Sequence, residues 1–301
     1  MCIRDSYKIE LATGTIVSSG TLGQIIPPSV VLVLLGSVLN VSVGDLFRAA
    51  LLPGLILVGA YILYIWVVSR LDKDAAPPLK EEYMTDAKMS VILRAFLLPF
   101  VLIIAVLGSI FAGIASPTEA AAVGAMGATL LTIVEGQLSL KVLKGVMKGT
   151  THLTSMVFLI LLGATTFALV FKGLEGDAFL QTVIAESSLS STSFLILIMV
   201  VVFFLGFFID FIEIIFIVVP VVAPIFASYG IDLIWIGILL ALNLQTSFLT
   251  PPFGFSLFYL KGVAPPEVST MHIYRGVIPF LIIQVILLAL VITFPDVIYL
   301  I

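Results

Sequence analysis

The chain has 301 residues, of which 61% are hydrophobic and 11% charged, with a net charge of −4 and a mean hydropathy of +1.27. A water-soluble domain is about 45–50% apolar and about 25% charged, so this composition excludes one and specifies an integral membrane protein with many spans. The acidic balance argues against nucleic acid as a partner. The single cysteine, Cys2, rules out an intrachain disulfide or a cysteine-rich metal centre, and His152 and His272 stand far apart with no metal-ligand spacing.

A membrane-crossing helix needs about 20 apolar residues, and the chain offers a series of them. No cleavable signal peptide opens it. Met1 to Ser6 leads within a few residues into the first apolar stretch, and the expectation is a shortened reading frame whose first six residues are foreign. Leu11 to Leu39 carries no charge but holds the tandem prolines Pro27-Pro28; with its flanks it predicts a broken helix over 7–40. Span 49–69 follows, ending at Arg70. A polar linker over 71–93 contains Lys73, Lys80, Lys88 and Pro77-Pro78. The second part, 94–301, predicts spans at 95–110, 118–134 and 153–171, with a lysine-bearing loop at 135–152 (Lys141, Lys144, Lys148) and an acidic loop at 172–193. The stretch 194–229 is apolar but interrupted over Gly206–Glu213. A second broken helix over 232–260 holds Pro251-Pro252, and a last span covers 276–297.

The two lysine-bearing loops are separated by two spans, so they share a side, and the positive-inside rule makes that side cytoplasmic. The stretch 194–229 reads either as two full spans with Asp210 and Glu213 at the cytoplasmic face, or as a re-entrant hairpin with those acids at its tip. Both return the chain to the same side. In either case the two Pro-Pro segments cross in opposite directions, as in an inverted-topology repeat.

Proline has no N–H and clashes with the preceding turn, so each helix breaks at its Pro-Pro. Inside a membrane such breaks survive only where they are buried in protein or line a watery cavity, and paired broken helices point to a transporter's ion and substrate site. Ser18, Ser19, Thr21, Gln24 and Ser29 flank the first break; Asn243, Gln245, Thr246, Ser247 and Thr250 flank the second. Hydroxyl, amide and freed carbonyl oxygens form a hard neutral site suited to Na⁺, and helix N-termini beyond the breaks offer N–H groups to an anion. The bland alternative is that these side chains only bond back to their own helices. Asp210 and Glu213 are costly in a bilayer and mark function unless they lie in a solvated turn. Glu119, after Ser116-Pro117-Thr118, reads as a helix-start acid rather than a transport group, and Gly124 with Ala128 gives a small-xxx-small spacing for helix packing. No nucleotide-binding, zinc-hydrolase or serine-hydrolase motif occurs, so neither an enzyme nor an ATP-driven pump is expected. A membrane-embedded lipid enzyme would need a polar catalytic cluster at one interface.

The segments SGTLGQIIPPS, GIASPTEAAAVGA, NLQTSFLTPPFGFSLFYLKGVAPP and IYRGVIPF, in this order, resemble the large permease subunit of TRAP (tripartite ATP-independent periplasmic) transporters, the DctM-like proteins. The resemblance covers nearly all of 7–301. It implies an all-α, inverted-repeat, elevator-type transporter with broken helices and re-entrant hairpins, multi-pass in a bacterial inner membrane. It implies Na⁺ as the coupling ion, no cofactor, and a small organic anion, such as a carboxylate, as cargo. A small membrane subunit and a periplasmic substrate-binding protein are the implied partners. Carried over by motif, Ser19, Gly20, Thr21, Gly23 and Pro27 would contribute to one Na⁺ site, with Pro28 beside them. Gly206, Asp210, Gln245, Thr246, Thr250 and Pro251 would contribute to the other. Ser18, Pro28, Ser29, Asn243 and Pro252 are the candidate substrate contacts. The family carries a further hairpin before the first broken helix, which leads to the expectation that this chain is N-terminally truncated. Another type of secondary transporter, or a non-transporting fragment, is the alternative reading.

Overall fold

The computed structural model describes residues 7–77, 89–186, 189–252 and 254–300, without the side chains of residues 89–95, 177, 180, 181, 184 and 185. Met1–Ser6 and residues 78–88 of the 71–93 linker, including Lys80 and Lys88, lie outside the described residues. The described chain is all helical and has no strand. Five of its helices are long and apolar enough to cross a membrane. The fold is that of a polytopic helical membrane protein.

The first broken helix comprises α1 (Ile9–Thr21), a 3₁₀ turn (Leu22–Gln24) and α2 (Val30–Leu39). Ser29 restarts the helix after the prolines by accepting a hydrogen bond from the Leu32 amide, and Asn40 ends it in a left-handed conformation at φ 56°. Ser42 caps α3 (Val43–Leu71), which runs 29 residues with Pro53 inside it. The structure therefore extends the expected span 49–69 at both ends.

Residues 1–79 with 164–301 form one compact unit and residues 80–163 another. In the larger unit the first broken helix packs into the later half of the chain. The smaller unit contains α4 (Met89–Phe111), α5 (Pro117–Val134) and the first part of α6 (Leu140–Gly173). In it α5 packs on α4 through glycines: a Cβ at Gly127 would meet Leu102 Cδ1 at 2.3 Å and one at Gly124 would meet Val106 at 3.3 Å. The close contact thus runs through Gly124 and Gly127 rather than Gly124 and Ala128. Ser116 and Glu119 form a reciprocal capping box: the Ser116 amide donates to Glu119 Oε2 at 2.7 Å and the Glu119 amide to Ser116 Oγ at 3.4 Å. That is the helix-start role expected of Glu119.

The lysine-bearing segment 135–152 is largely helix rather than loop, since α6 begins at Leu140 and runs 34 residues. Charge marks where a helix leaves hydrocarbon, but lysine, leucine and methionine are good helix formers and nothing there stops the turn. Likewise the acidic segment 172–193 contains α7 (Gly176–Glu186).

In the larger unit, α8 (Ser191–Leu205) and α9 (Phe211–Ser228) follow, joined over Gly206–Asp210. The first turns of α9 pass through a π-helical segment at Ile214–Val218. The second broken helix is α10 (Leu233–Leu249), the Pro251-Pro252 break, and α11 (Phe255–Val263). The last span, α12 (Thr270–Thr293), starts six residues before the expected 276 and is followed by a 3₁₀ turn at Pro295–Tyr299. Its start is fixed by a second capping box, in which Ser269 and His272 exchange bonds of 3.3 Å. This gives His272 a structural role.

Both broken helices are built alike. Each is followed by a span that returns to the level where the broken helix began. For the first, the Lys8 amide donates to the Ala75 carbonyl at 3.0 Å and its amine lies 3.6 Å from Asp72. For the second, the Tyr299 hydroxyl donates to the Asp232 carboxylate, and Trp235 Nε1 donates to the Val291 carbonyl at 3.0 Å.

The two run in opposite directions. Gly237, near the start of α10, lies against Leu39 and Leu46, at the far end of the first broken helix. After α11 the chain turns into α12, whose Gly276 meets the beginning of α1. A Cβ on Gly14 would sit 2.1 Å from the Gly276 carbonyl oxygen, and one on Gly276 would sit 2.1 Å from the Glu10 carbonyl oxygen. Only glycines allow this backbone-to-backbone approach. Phe280 on α12 then inserts between Tyr61 and Tyr64 of α3, with ring centroids 5.0 Å apart in both pairs. At the centre lies α10, buried on every side from Ile236 to Leu249, as expected for a helix without a polar face.

Candidate functional site

Each break must find partners for the backbone groups that proline frees. At the first, the Ile25 and Ile26 amides both donate to the Leu22 carbonyl at 3.1 and 2.9 Å, and Ser29 Oγ donates to the Gln24 carbonyl at 2.5 Å. At the second, Ser256 Oγ reaches back across the break to the Phe248 carbonyl at 2.6 Å, the Gly254 amide donates to the Thr250 carbonyl at 3.0 Å, and the Tyr274 hydroxyl donates to the Pro252 carbonyl at 2.9 Å. Both Pro-Pro peptide bonds are cis.

The helix-turn-helix of α8 and α9 is seated on the second broken helix. Gly206 packs so closely that a Cβ there would lie 2.1 Å from Ser247 Oγ. The Asn243 amide nitrogen donates to the Met199 carbonyl at 2.7 Å. At the tip, Asp210 Oδ1 accepts from the Phe211 amide at 2.8 Å and starts α9. The tip is further held by Phe211 against Phe248, and Phe248 against Phe255, with centroids 6.1 and 5.7 Å apart.

A cavity of 640 Å³ opens where these elements meet. The first broken helix contributes Gly20, Thr21 and Gln24, the α8–α9 tip contributes Asp210 and Phe211, and the second broken helix contributes Phe248, Phe255 and Ser256. Of the residues singled out from sequence, Gly20, Thr21, Gln24 and Asp210 thus share one cavity. Ser256, Phe211, Phe248 and Phe255 were missed as site residues. Ser256, a small polar residue one turn past the second Pro-Pro, carried a usable signal; the phenylalanines did not, because lipid-facing and cavity-facing rings read alike.

The other candidates are placed differently. Ser19 and Gly23 are exposed, and nothing lies within 4 Å of a Cβ built on Gly23. Several hydroxyls bond back to their own helix: Ser19 to Ile16, Thr21 to Ser18, Thr246 to Leu242, Ser247 to Leu244 and Thr250 to Thr246, at 2.7–3.1 Å. A back-bonded hydroxyl spends its proton and keeps its oxygen lone pairs as acceptors. Asn243, Ser29 and Pro27 are buried, whereas Pro28 and Pro252 are exposed and Pro251 is half-buried.

Three polar groups near the breaks have no hydrogen-bond partner among the described residues: Ser18 Oγ, Gln24 Oε1 and the whole Gln245 carboxamide. Ser18 and Gln245 are fully buried. An orphaned polar group in such a place costs about 1–3 kcal/mol. Among the described residues there is no group of three or more His, Cys, Asp or Glu side chains. The groups around the breaks are mainly neutral hydroxyl, amide and carbonyl groups, and Asp210 is the charged residue that lines the cavity.

Antiparallel broken helices that meet at a shared cavity, inside a bundle of membrane-length helices, define the class of secondary membrane transporters. The chain belongs to the DctM family, the DctM component of tripartite ATP-independent periplasmic transporters, which it matches over residues 1–297. It is 33% identical to the sialic acid TRAP transporter large permease SiaM of Vibrio cholerae, over 98% of this chain and 68% of that protein. It is 31% identical to the C4-dicarboxylate large permease DctM of Pseudomonas aeruginosa, with the same coverage of 98% and 68%. The ectoine large permease TeaC of Halomonas elongata is 28% identical, again over 98% and 68%.

Proposed function

We propose that this chain is the permease subunit of a Na⁺-coupled tripartite importer of small organic anions in a bacterial inner membrane. It works with a small membrane subunit and a periplasmic substrate-binding protein. The observation that carries the reading is the convergence of both breaks and Asp210 on one cavity, beside buried oxygens that lack partners. In this reading the α8–α9 pair is a re-entrant hairpin with Asp210 at its tip. Ser19, Gly20, Thr21, Gly23 and Pro27 surround one Na⁺, and Gly206, Asp210, Gln245, Thr246, Thr250 and Pro251 surround the other. The anion lies between, against the N–H groups that open α2 and α11.

The energetics are adequate. One inward Na⁺ gains about 2.3 kcal/mol per 100 mV of membrane potential, and an inward monoanion loses as much. Two Na⁺ therefore leave a net gain even before the Na⁺ concentration gradient is counted. The names of the relatives include sialic acid, C4-dicarboxylate and ectoine. The cargo is therefore the variable part of the reading.

The test is uptake by the full-length protein with both partners, reconstituted in liposomes, using radiolabelled candidate anions. Accumulation is expected to fall by about tenfold or more when a roughly tenfold inward Na⁺ gradient is removed, since each coupled ion then forfeits ~1.4 kcal/mol of drive. Uptake indifferent to Na⁺ overturns the reading.

A further inference from the structure

The N-terminal third of α6 takes no part in the site described above. Lys141, Lys144 and Lys148 lie at helical spacings of three and four, so they stand on one face. All three are exposed, and no acid occurs between Gly136 and Gly173. Among the described residues the salt bridges are elsewhere, at Lys8–Asp72 and Arg48–Asp45. Farther along, the same face carries Thr151 and Ser155, and then Leu159. There a shallow groove of 600 Å³ runs along the helix past Thr151, Ser155, Phe158 and Leu159. Phe158 and Leu159 are 63% and 71% exposed.

The order of chemistry along this face is cation, hydroxyl, apolar. A phospholipid presents its complement in the same order: phosphate, glycerol ester, acyl chain. The dimensions agree. With 34 residues, α6 is about 51 Å long, whereas the hydrocarbon core is about 30 Å thick and takes about 20 residues. If Leu153–Gly173 fills the core, the turns from Leu140 to His152 run out through the headgroup layer, which is about 5–8 Å deep on each side, and into the water beyond it. Lys148 is then about 8 Å outside the hydrocarbon edge at Leu153, at the headgroup level, with Lys144 and Lys141 about 6 and 10 Å farther out along the helix.

We propose that this face of α6 is a binding site for an anionic phospholipid of the cytoplasmic leaflet, with Lys148 at the headgroup phosphate, Lys144 and Lys141 adding positive field from the water side, and Phe158 and Leu159 lying along an acyl chain. The charge complementarity selects anionic over zwitterionic lipid, and the apolar continuation selects a lipid over a soluble phosphate or an acidic protein segment.

The experiment uses the full-length permease with its small subunit, reconstituted in phosphatidylcholine vesicles with phosphatidylglycerol mixed in. The complex is re-extracted, and the ratio of the two lipids retained is measured by mass spectrometry. Wild type is expected to enrich phosphatidylglycerol over the bulk. The K141Q/K144Q/K148Q variant is expected to lose that enrichment, by about fivefold per lysine neutralised, the scale for a basic residue at an anionic surface. The corresponding triple arginine variant is expected to keep it. Equal enrichment in wild type and the glutamine variant overturns the proposal. So does loss in the arginine variant, because charge would then not be the carrier. A wild type without enrichment, paired with a glutamine variant that no longer retains the small subunit, also overturns it and makes the stripe a protein interface.

Discussion

Asp210 has two roles that a single substitution separates. Its carboxylate caps α9 through the Phe211 amide, and it is the charged residue lining the shared cavity. Asparagine caps a helix about as well as aspartate, so Asp210→Asn removes the charge and keeps the cap. The expected outcome, in the full-length protein, is normal expression and thermal stability with a clearly weakened dependence of uptake on Na⁺. An unaltered Na⁺ response would leave Asp210 as a cap alone. Gly206 gives the complementary case. A methyl there would overlap Ser247 Oγ, so Gly206→Ala is expected to cost about 1–3 kcal/mol by overpacking, read as a lowered unfolding temperature. Combining it with Ser247→Gly should recover most of the loss. Ser116→Ala, in the smaller unit, breaks a capping box and should cost about 1 kcal/mol while leaving Na⁺ dependence unchanged.

At the scale of elements, what could be read from sequence was the chemistry that acts over a few residues. Pro27-Pro28 and Pro251-Pro252 announce their breaks because proline cannot donate or fit, and Ser116-Pro117-Thr118-Glu119 announces its helix start for equally local reasons. The length of α6 was misread because lysines were taken as a loop when they mark only the exit from hydrocarbon. The meeting of Gly14 with Gly276 was illegible, since the two glycines come from opposite ends of the chain and neither has a local signature. The same holds for Ser256 closing the gap at the Phe248 carbonyl. These long-range contacts are the ones that position the cavity. Gly14→Ala is therefore expected to push α1 from α12, because the opposing group is backbone and cannot rotate away. It should lower stability more than Ser256→Ala, which removes one hydrogen bond worth about 1 kcal/mol. Thermal unfolding of the two variants in the same detergent checks the order.

For the whole molecule, the opposite directions of the broken helices were deducible from loop charge, and the contacts at Gly237 and at Gly14–Gly276 show them in space. The cargo was not deducible, because the cavity wall between the breaks is largely apolar and neutral.

The central position of α10 has a further consequence. A helix reached by neither water nor lipid exchanges its amide hydrogens only when the surrounding bundle opens. The amides of Ile236 to Phe248 should therefore report the free energy of global opening, while those flanking the breaks report smaller local events. If the larger unit moves during transport as one body, deuterium uptake across this segment should stay the same whether Na⁺ is present or absent, and any change with Na⁺ should be confined to the turns beside the prolines.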